Sequence, residues 1–245
     1  MSLLSLKHIS KRYQEGRGQI TVLDDVCLEI EEGDFVGIWG MRRSGKTTLL
    51  QVAAGRQAPS EGRVCFDGQD LAELSPDRRA KLYRRNGIGL ITPDWRPERN
   101  KPVVDHVSLP LLSDGMSLRE AREPAWCALE RVGVVGCGYL PADRLSQGER
   151  MRVALAQALV HEPRLLFVDE PAVLLRPSEA VELYELLCTF GRDPELAIVI
   201  ASEDVAPIRK ARRMMSISDG KLRSMDQPGM LVSFPERTGR QRSRP

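Results

Sequence analysis

Residues 40–47 read Gly-Met-Arg-Arg-Ser-Gly-Lys-Thr, which fits the phosphate-cradling pattern G-x-x-x-x-G-K-(S/T). Such a loop works only with a strand before it and a helix after it. Both are present. Phe35-Val36-Gly37-Ile38-Trp39 is a short apolar run, and Thr48-Leu49-Leu50-Gln51-Val52-Ala53-Ala54 suits a helix. Gly40 and Gly45 let the backbone curl so that its N–H groups converge on phosphate oxygens, helped by the positive end of the following helix. In this pattern Lys46 reaches the β- and γ-phosphates and the Thr47 hydroxyl ligates Mg²⁺. The competing explanation is a Gly-rich turn that matches by accident, and the flanking elements weigh against it.

The rest of the chain alternates strand and helix. Leu3 to Ile9 and Thr21 to Ile30 alternate apolar and polar residues like antiparallel strands, and Glu31-Glu32-Gly33-Asp34 is a turn. Val64 to Asp70 is a strand entering a turn. Ser75 to Arg85 is a charged helix opened by an N-cap Ser and Pro76. Ile88 to Ile91 is a short strand ended by Pro93, and Val103 to Val135 is helical, with Ser117-Leu118-Arg119-Glu120 as a capped start. Gln147 to Val160 is a helix, Arg164 to Val168 an apolar strand, Val181 to Phe190 a helix, and Ala197 to Ala201 another buried strand. Met214 to Arg223 is a hairpin around Asp219-Gly220. This order predicts an α/β fold with a mainly parallel sheet flanked by helices. No internal repeat is visible.

Bulk properties narrow the class. The 245 residues leave ample room for a core, and 29% charged against 42% hydrophobic residues describes a globular chain. No stretch approaches the ~18 apolar residues that span a bilayer, and the N-terminus has neither a signal nor a transit pattern. The five cysteines (27, 65, 127, 137 and 188) lie in no metal-ligand spacing, so they are expected to be core fillers in a reducing compartment. A net charge of +2 makes no case for nucleic acid.

Two further signals lie downstream. Leu165-Leu166-Phe167-Val168 ends in Asp169-Glu170. An acidic residue at the carboxyl end of a buried strand beside a phosphate loop can hold Mg²⁺, and the next carboxylate can polarise an attacking water. Alone, the same residues could be a polar strand exit. Leu145-Ser146-Gln147-Gly148-Glu149-Arg150 precedes the apolar helix, and its Ser and Gly leave N–H groups free at a helix start. Alone, that is an ordinary N-cap.

Taken in order, the three signals resemble the ATP-binding cassette (ABC) ATPases, P-loop NTPases. The likeness covers residues 3 to 226 and is most similar to the MacB/LolD type, the ATPases of macrolide efflux and lipoprotein release. The stretches that carry it are Ile9 to Tyr13, Val22 to Val26, His106 to Leu112 and Ser146 to Ala154. The resemblance implies a cassette over residues 1–227 with an N-terminal antiparallel β subdomain. It also implies a helical subdomain at about 94–146 that touches the membrane permease, leaving a basic tail at 228–245. It implies ATP and Mg²⁺ as cofactors. Gly40, Met41, Arg42, Arg43, Ser44, Gly45, Lys46, Thr47 and Thr48 match the nucleotide loop, Thr47 and Asp169 the metal ligands, and Glu170 the catalytic carboxylate. Tyr13 matches the aromatic that stacks on adenine, the other reading being a strand-end Tyr packed on its own sheet. Ser146, Gln147, Gly148 and Glu149 match the motif that contacts ATP held by a second ABC subunit. The expected location is cytoplasmic, peripheral on the inner face of the cell membrane.

The departures are as informative as the matches. Pro93 stands where a Gln is usual, and Glu203 where the family has a His that donates to the γ-phosphate. An ionised Glu only accepts and would repel that phosphate. Val173-Leu174-Leu175-Arg176 replaces the usual approach to an Asp; Arg43 and Gln147 each replace a Gly. Groups that hold ATP are kept and groups that sense its last phosphate are changed. This implies a cassette that binds ATP and hydrolyses it weakly, paired with a more orthodox sister in a heterodimer; a homodimer ranks second. A soluble cassette acting on DNA or ribosomes and a non-hydrolysing, ATP-gated scaffold are the rival classes. The Arg-rich tail is either solvated or drawn to anionic lipid.

Overall fold

A computed structural model describes residues 2–16, 18–83, 87–98 and 100–225. The basic tail, the pair Arg84-Arg85 and the proposed boundary at 227 lie outside them. The chain opens with a long hairpin, β1 (Leu4–Glu15) and β2 (Gly18–Ile30), followed by β3 (Phe35–Trp39) and α1 (Lys46–Ala53). Next come β4 (Glu61–Phe66), β5 (Gln69–Asp70), α2 (Pro76–Lys81) and β6 (Ile88–Ile91). Helices α3 (Val103–Ser113), α4 (Leu118–Arg131) and α5 (Gln147–Leu159) lead to β7 (Leu165–Asp169). Then α6 (Pro177–Phe190), β8 (Ala197–Ser202), α7 (Val205–Ile208), β9 (Arg213–Ser218) and β10 (Lys221–Ser224) complete the described fold.

Two sheets result. The N-terminal one is antiparallel in the order β2-β1-β4-β5, and the central one runs β10-β9-β3-β8-β7-β6. In the central sheet β9, β3, β8, β7 and β6 are parallel; β10 returns against β9 as a hairpin. This is the expected mainly parallel α/β architecture with an antiparallel β subdomain and a helical one.

The apolar strands have a period of two because each face meets a different core. Leu165 and Phe167 of β7 join Val36, Ile38, Ala197, Val199 and Ala201 in a core shared with α1 and the N-terminal sheet. Leu166 and Val168 turn the other way, with Ile198 and Ile200, onto α3, α4, α5 and α6. A strand buried on both faces loses the polar alternation of a half-exposed one.

Element ends moved where local chemistry or pairing overrode periodicity. The first hairpin extends past the apolar residues because Gln14 pairs with Gln19 and Glu15 with Gly18 across its tip. The helical stretch from Val103 breaks at Asp114-Gly115, where Gly115 takes φ +92°, and restarts under a Ser117–Glu120 capping box. Helix α6 begins four residues before Val181, with Pro177 in its first turn and the Arg176 N–H donating to Glu179 Oε2 at 3.1 Å. Phe167 has no exposed surface in the centre of this assembly. Phe167→Ala is expected to cost ~3–5 kcal/mol of unfolding free energy, read from the urea midpoint at unchanged slope. A loss under ~1 kcal/mol would contradict the tight packing around this strand.

Candidate functional site

Parallel register decides which residues meet. Trp39 pairs with Ser202, Asp169 with Ala201, and Ile91 with Val168. Strands β3, β8, β7 and β6 therefore end together, and the segments leaving their carboxyl ends rim one open cleft of about 660 Å³. The loop residues Arg42 to Thr48 line it, opposite Pro93, Asp94, Arg96, Glu170, Val173, Leu174 and Glu203. In open α/β sheets ligands sit at this edge.

The loop conformation requires its two glycines. A Cβ on Gly40 would lie 2.5 Å from Ser44 Oγ and 2.7 Å from the Ile217 carbonyl. Gly45 takes φ +104°, and a Cβ there would lie 2.8 Å from the Val22 carbonyl. Helix α1 starts directly after it with no side-chain cap and no acidic residue in its first turn. The helix thus brings no anion of its own to its positive end.

Lys46 is the hub. Its buried Nζ donates to the carbonyls of Gly40 (2.6 Å) and Met41 (3.0 Å) and lies 3.1 Å from Glu170 Oε1. A buried ion pair is tolerated when further hydrogen bonds complete it, and here two carbonyls do. Glu170 has φ +44°, with its N–H bonded to the Ala201 carbonyl at 2.9 Å. Its Oε2 accepts the Glu203 N–H at 3.2 Å. The Glu203 carbonyl accepts the Trp39 indole N–H at 3.0 Å, and its carboxylate lies 3.7 Å from Arg42 Nε. The Trp39 indole is thus turned to Glu203, and the loop's centre is held by Lys46.

Asp169 is 2% exposed, and Oδ1 is buried with no hydrogen-bond partner among the described residues. Burial pushes its carboxyl pKa up; a hydrogen bond from Thr47 pulls down, nearby Glu170 pushes up again, and Lys46 pulls down. The net direction is upward. An orphaned carboxylate oxygen beside a threonine hydroxyl is the donor set of a hard divalent cation, and the residues fit one. The loop, Lys46 and the start of α1 likewise fit a polyphosphate.

Other sequence-selected residues lie elsewhere. Tyr13, on β1, is outside the cleft lining; its hydroxyl donates to Gln57 Oε1 at 2.5 Å and Lys11 Nζ stands 5.2 Å from its ring centre. Ser146 caps α5: its Oγ accepts the Glu149 N–H at 3.2 Å and Glu149 Oε2 accepts the Ser146 N–H at 2.8 Å. The Cys137 thiol donates to Glu149 Oε1 at 3.3 Å, and burial with this carboxylate pushes its pKa up to about 11. Gln147 borders a small pocket with Pro93, Trp95 and Val173 to Leu175. Gly148 abuts Glu179, which pairs with Arg176 at 2.8 Å. None of Ser146 to Glu149 lines the phosphate-loop cleft. The cleft and its network also include Trp39, Asp94 and Arg96, which the motifs do not name; for Asp94, the carboxylate directly after Pro93 is the available signal.

The family model described as ABC transporter matches residues 23–173, more than half of the chain. The chain belongs to the ABC transporter family. This ABC chain is 34% identical over 222 residues to the macrolide export ATP-binding/permease protein MacB of Syntrophobacter fumaroxidans, covering 90% of itself and 31% of that protein. It is 31% identical over 219 residues to the methionine import ATP-binding protein MetN 2 of Enterococcus faecalis, covering 89% of itself and 63% of that protein. It therefore spans about a third of the MacB relative and under two thirds of MetN 2. The dimeric, post-hydrolysis structure of the ATP-binding cassette MJ0796 bound to ADP and Pi superposes with a TM-score of 0.82 at 28% identity, over 90% of this chain and 97% of that one. These likenesses make the chain an ABC ATP-binding domain of the MacB/LolD type.

The raised Asp169 pKa sets a sign. A carboxyl whose folded pKa exceeds its unfolded one stabilises the fold fully below the unfolded pKa and loses that contribution as pH rises through the folded one. Asp169→Asn should therefore raise the metal-free unfolding midpoint at pH 7 by roughly 2–4 °C, the shift that ~1 kcal/mol makes in a chain of this size. A lowered midpoint in a melt with chelator present would show that the carboxylate is already satisfied.

Proposed function

We propose that this chain is the ATP-binding subunit of a transporter complex, binding ATP–Mg²⁺ against the loop 40–48 and coupling that binding to a membrane permease. The observation that carries the reading is the buried Lys46 amine at the loop's centre, beside Asp169 with its unpartnered oxygen. Lys46 and the loop N–H groups would take the phosphates, Thr47 and Asp169 the cation, and Tyr13 the base. The cation would supply charge neutralisation on the phosphate oxygens. Glu170 would orient the attacking water once nucleotide phosphate draws Lys46 away from it.

Hydrolysis in this chain's own site should be weak. Glu203 puts a carboxylate where relatives of this type place a donor. Like charges 4 Å apart at a protein surface repel by ~4 kcal/mol, more than the ~1.5–3 kcal/mol of one charge-assisted hydrogen bond. Arg42 offsets part of that repulsion from 3.7 Å. Pro93 adds no polar side chain at the end of β6. Ser146, Gln147, Gly148 and Glu149, which lie off the cleft, would serve nucleotide held by a second ABC subunit. A heterodimer with an orthodox sister is favoured over a homodimer, because a homodimer would contain two weakened sites. The domain reading of residues 1–227 with a permease-facing helical part at about 94–146 belongs to the same proposal, as does a place at the inner face of the membrane. Among the described residues no helix is long and apolar enough to cross a membrane.

Lys46→Ala should abolish binding of ATP–Mg²⁺, followed by fluorescence of a labelled nucleotide on folded protein; retained affinity would refute the site. The isolated chain should turn over ATP below ~1 s⁻¹, with Glu203→His raising the rate several-fold. A wild-type rate of ~1–10 s⁻¹ would end the weak-site reading. In a homodimer, Glu170→Gln separates a slow ATPase, which it stops, from an ATP-gated scaffold, which has no turnover to lose; in the favoured heterodimer the sister's site carries turnover and Glu170→Gln should leave it nearly unchanged.

A further inference from the structure

After β6 the chain crosses the cleft mouth as Thr92-Pro93-Asp94-Trp95-Arg96. Pro93 reaches the cleft but has neither donor nor side-chain acceptor. The next residue is a carboxylate, and it lines the same cleft as Lys46, Thr47 and Glu170. The Trp95 N–H donates to the Thr92 carbonyl at 3.3 Å, closing a turn here. The Trp95 indole N–H is pinned to Gln157 Oε1 on α5 at 2.7 Å, and its ring packs edge-on to His106 of α3 at 6.3 Å between centres. With Trp95 held by the helices, its neighbour Asp94 is presented to the cleft. The independent sign of a missing ligand is Asp169 itself, 2% exposed with Oδ1 unpartnered.

We propose that Asp94 is a further oxygen donor of the divalent-cation site, acting with Asp169 and Thr47 and replacing the side chain that Pro93 cannot supply. This rests on the ATP–metal reading above. Asp94 acts through water. Among the described residues no three side chains of ligating type close into a cage around one point, and Mg²⁺ sheds its hydration reluctantly, keeping several waters. A carboxylate taking hydrogen bonds from those waters adds a full negative charge to the site. It offsets the cations Arg42, Arg43 and Arg96 that line the same cleft. The metal is thereby held from the β6 side as well as the β7 side, and Trp95 ties that hold to α3 and α5.

The test uses the full chain without nucleotide and Mn²⁺ as the probe, counting free Mn²⁺ by electron paramagnetic resonance. Wild type should bind one Mn²⁺ in the millimolar range or tighter. Asp94→Ala should weaken that affinity about 10-fold, the lower end for outer-shell ligands. Asp169→Ala should remove binding, and Pro93→Gln introduced into Asp94→Ala should recover part of the loss. Asp94 is exposed, so Asp94→Ala should melt with the wild-type midpoint when chelator is present. Affinity within two-fold of wild type in Asp94→Ala would overturn the assignment, as would no Mn²⁺ binding by the wild-type chain. Neither result touches the Lys46-dependent binding of labelled nucleotide, so the two readings fail separately.

Discussion

Burial of the parallel sheet on both faces is the constraint on which the remainder depends. Phe167 points into the core shared with α1, and Leu166 and Val168 into the one beneath the helices. Slipping any strand by one residue would exchange these sets and expose or clash each of them. The sheet can therefore close in one register only. That register brings the ends of β3, β6, β7 and β8 to a common edge, where Lys46, Asp94, Glu170 and Glu203 line one cleft. Packing chosen for apolar reasons thus delivers the charged residues to one place.

At that edge the charges are arranged around Lys46. Its ammonium donates to two loop carbonyls and pairs with the Glu170 carboxylate, so the loop is held curled by the same group that would meet phosphate. Asp169 is the counterweight. It is buried, its pKa is raised, and one of its oxygens has no partner among the described residues. Stability alone does not explain such a group, since an unsatisfied buried acceptor costs ~1–3 kcal/mol. The proposed cation between Asp169 and Thr47 would supply the missing partner.

The altered positions are built into the fold and are not loose ends. Glu203 is tied down three times, through its N–H to Glu170, its carbonyl to Trp39 and its carboxylate to Arg42. It directly follows β8, which lies between β3 and β7, so the residue stands at the centre of the strand-end edge. Ser202 beside it accepts the Tyr184 hydroxyl at 3.3 Å, and burial pushes that phenol's pKa up to about 12. Arg176 pairs with Glu179, whose carboxylate a Cβ on Gly148 would meet at 3.1 Å, so the start of α6 packs close against the start of α5.

Local pattern alone determined the phosphate loop, the capped starts of α4 and α5, and the buried strand ending in Asp169-Glu170. Each is written in neighbouring residues: two glycines flanking the loop, a Ser with Glu three places on, an apolar run closed by acid. These features are short-range because backbone strain and capping are short-range. Strand order, the fusion of Trp39, Arg42, Glu170 and Glu203 into one network, and the meeting of Asp94 with Lys46 and Thr47 at one cleft came only from the tertiary structure. Those contacts join residues 33 to 164 positions apart in the chain. No local spacing encodes such a distance; it is set when two faces of a sheet bury different cores and leave a single register in which both close.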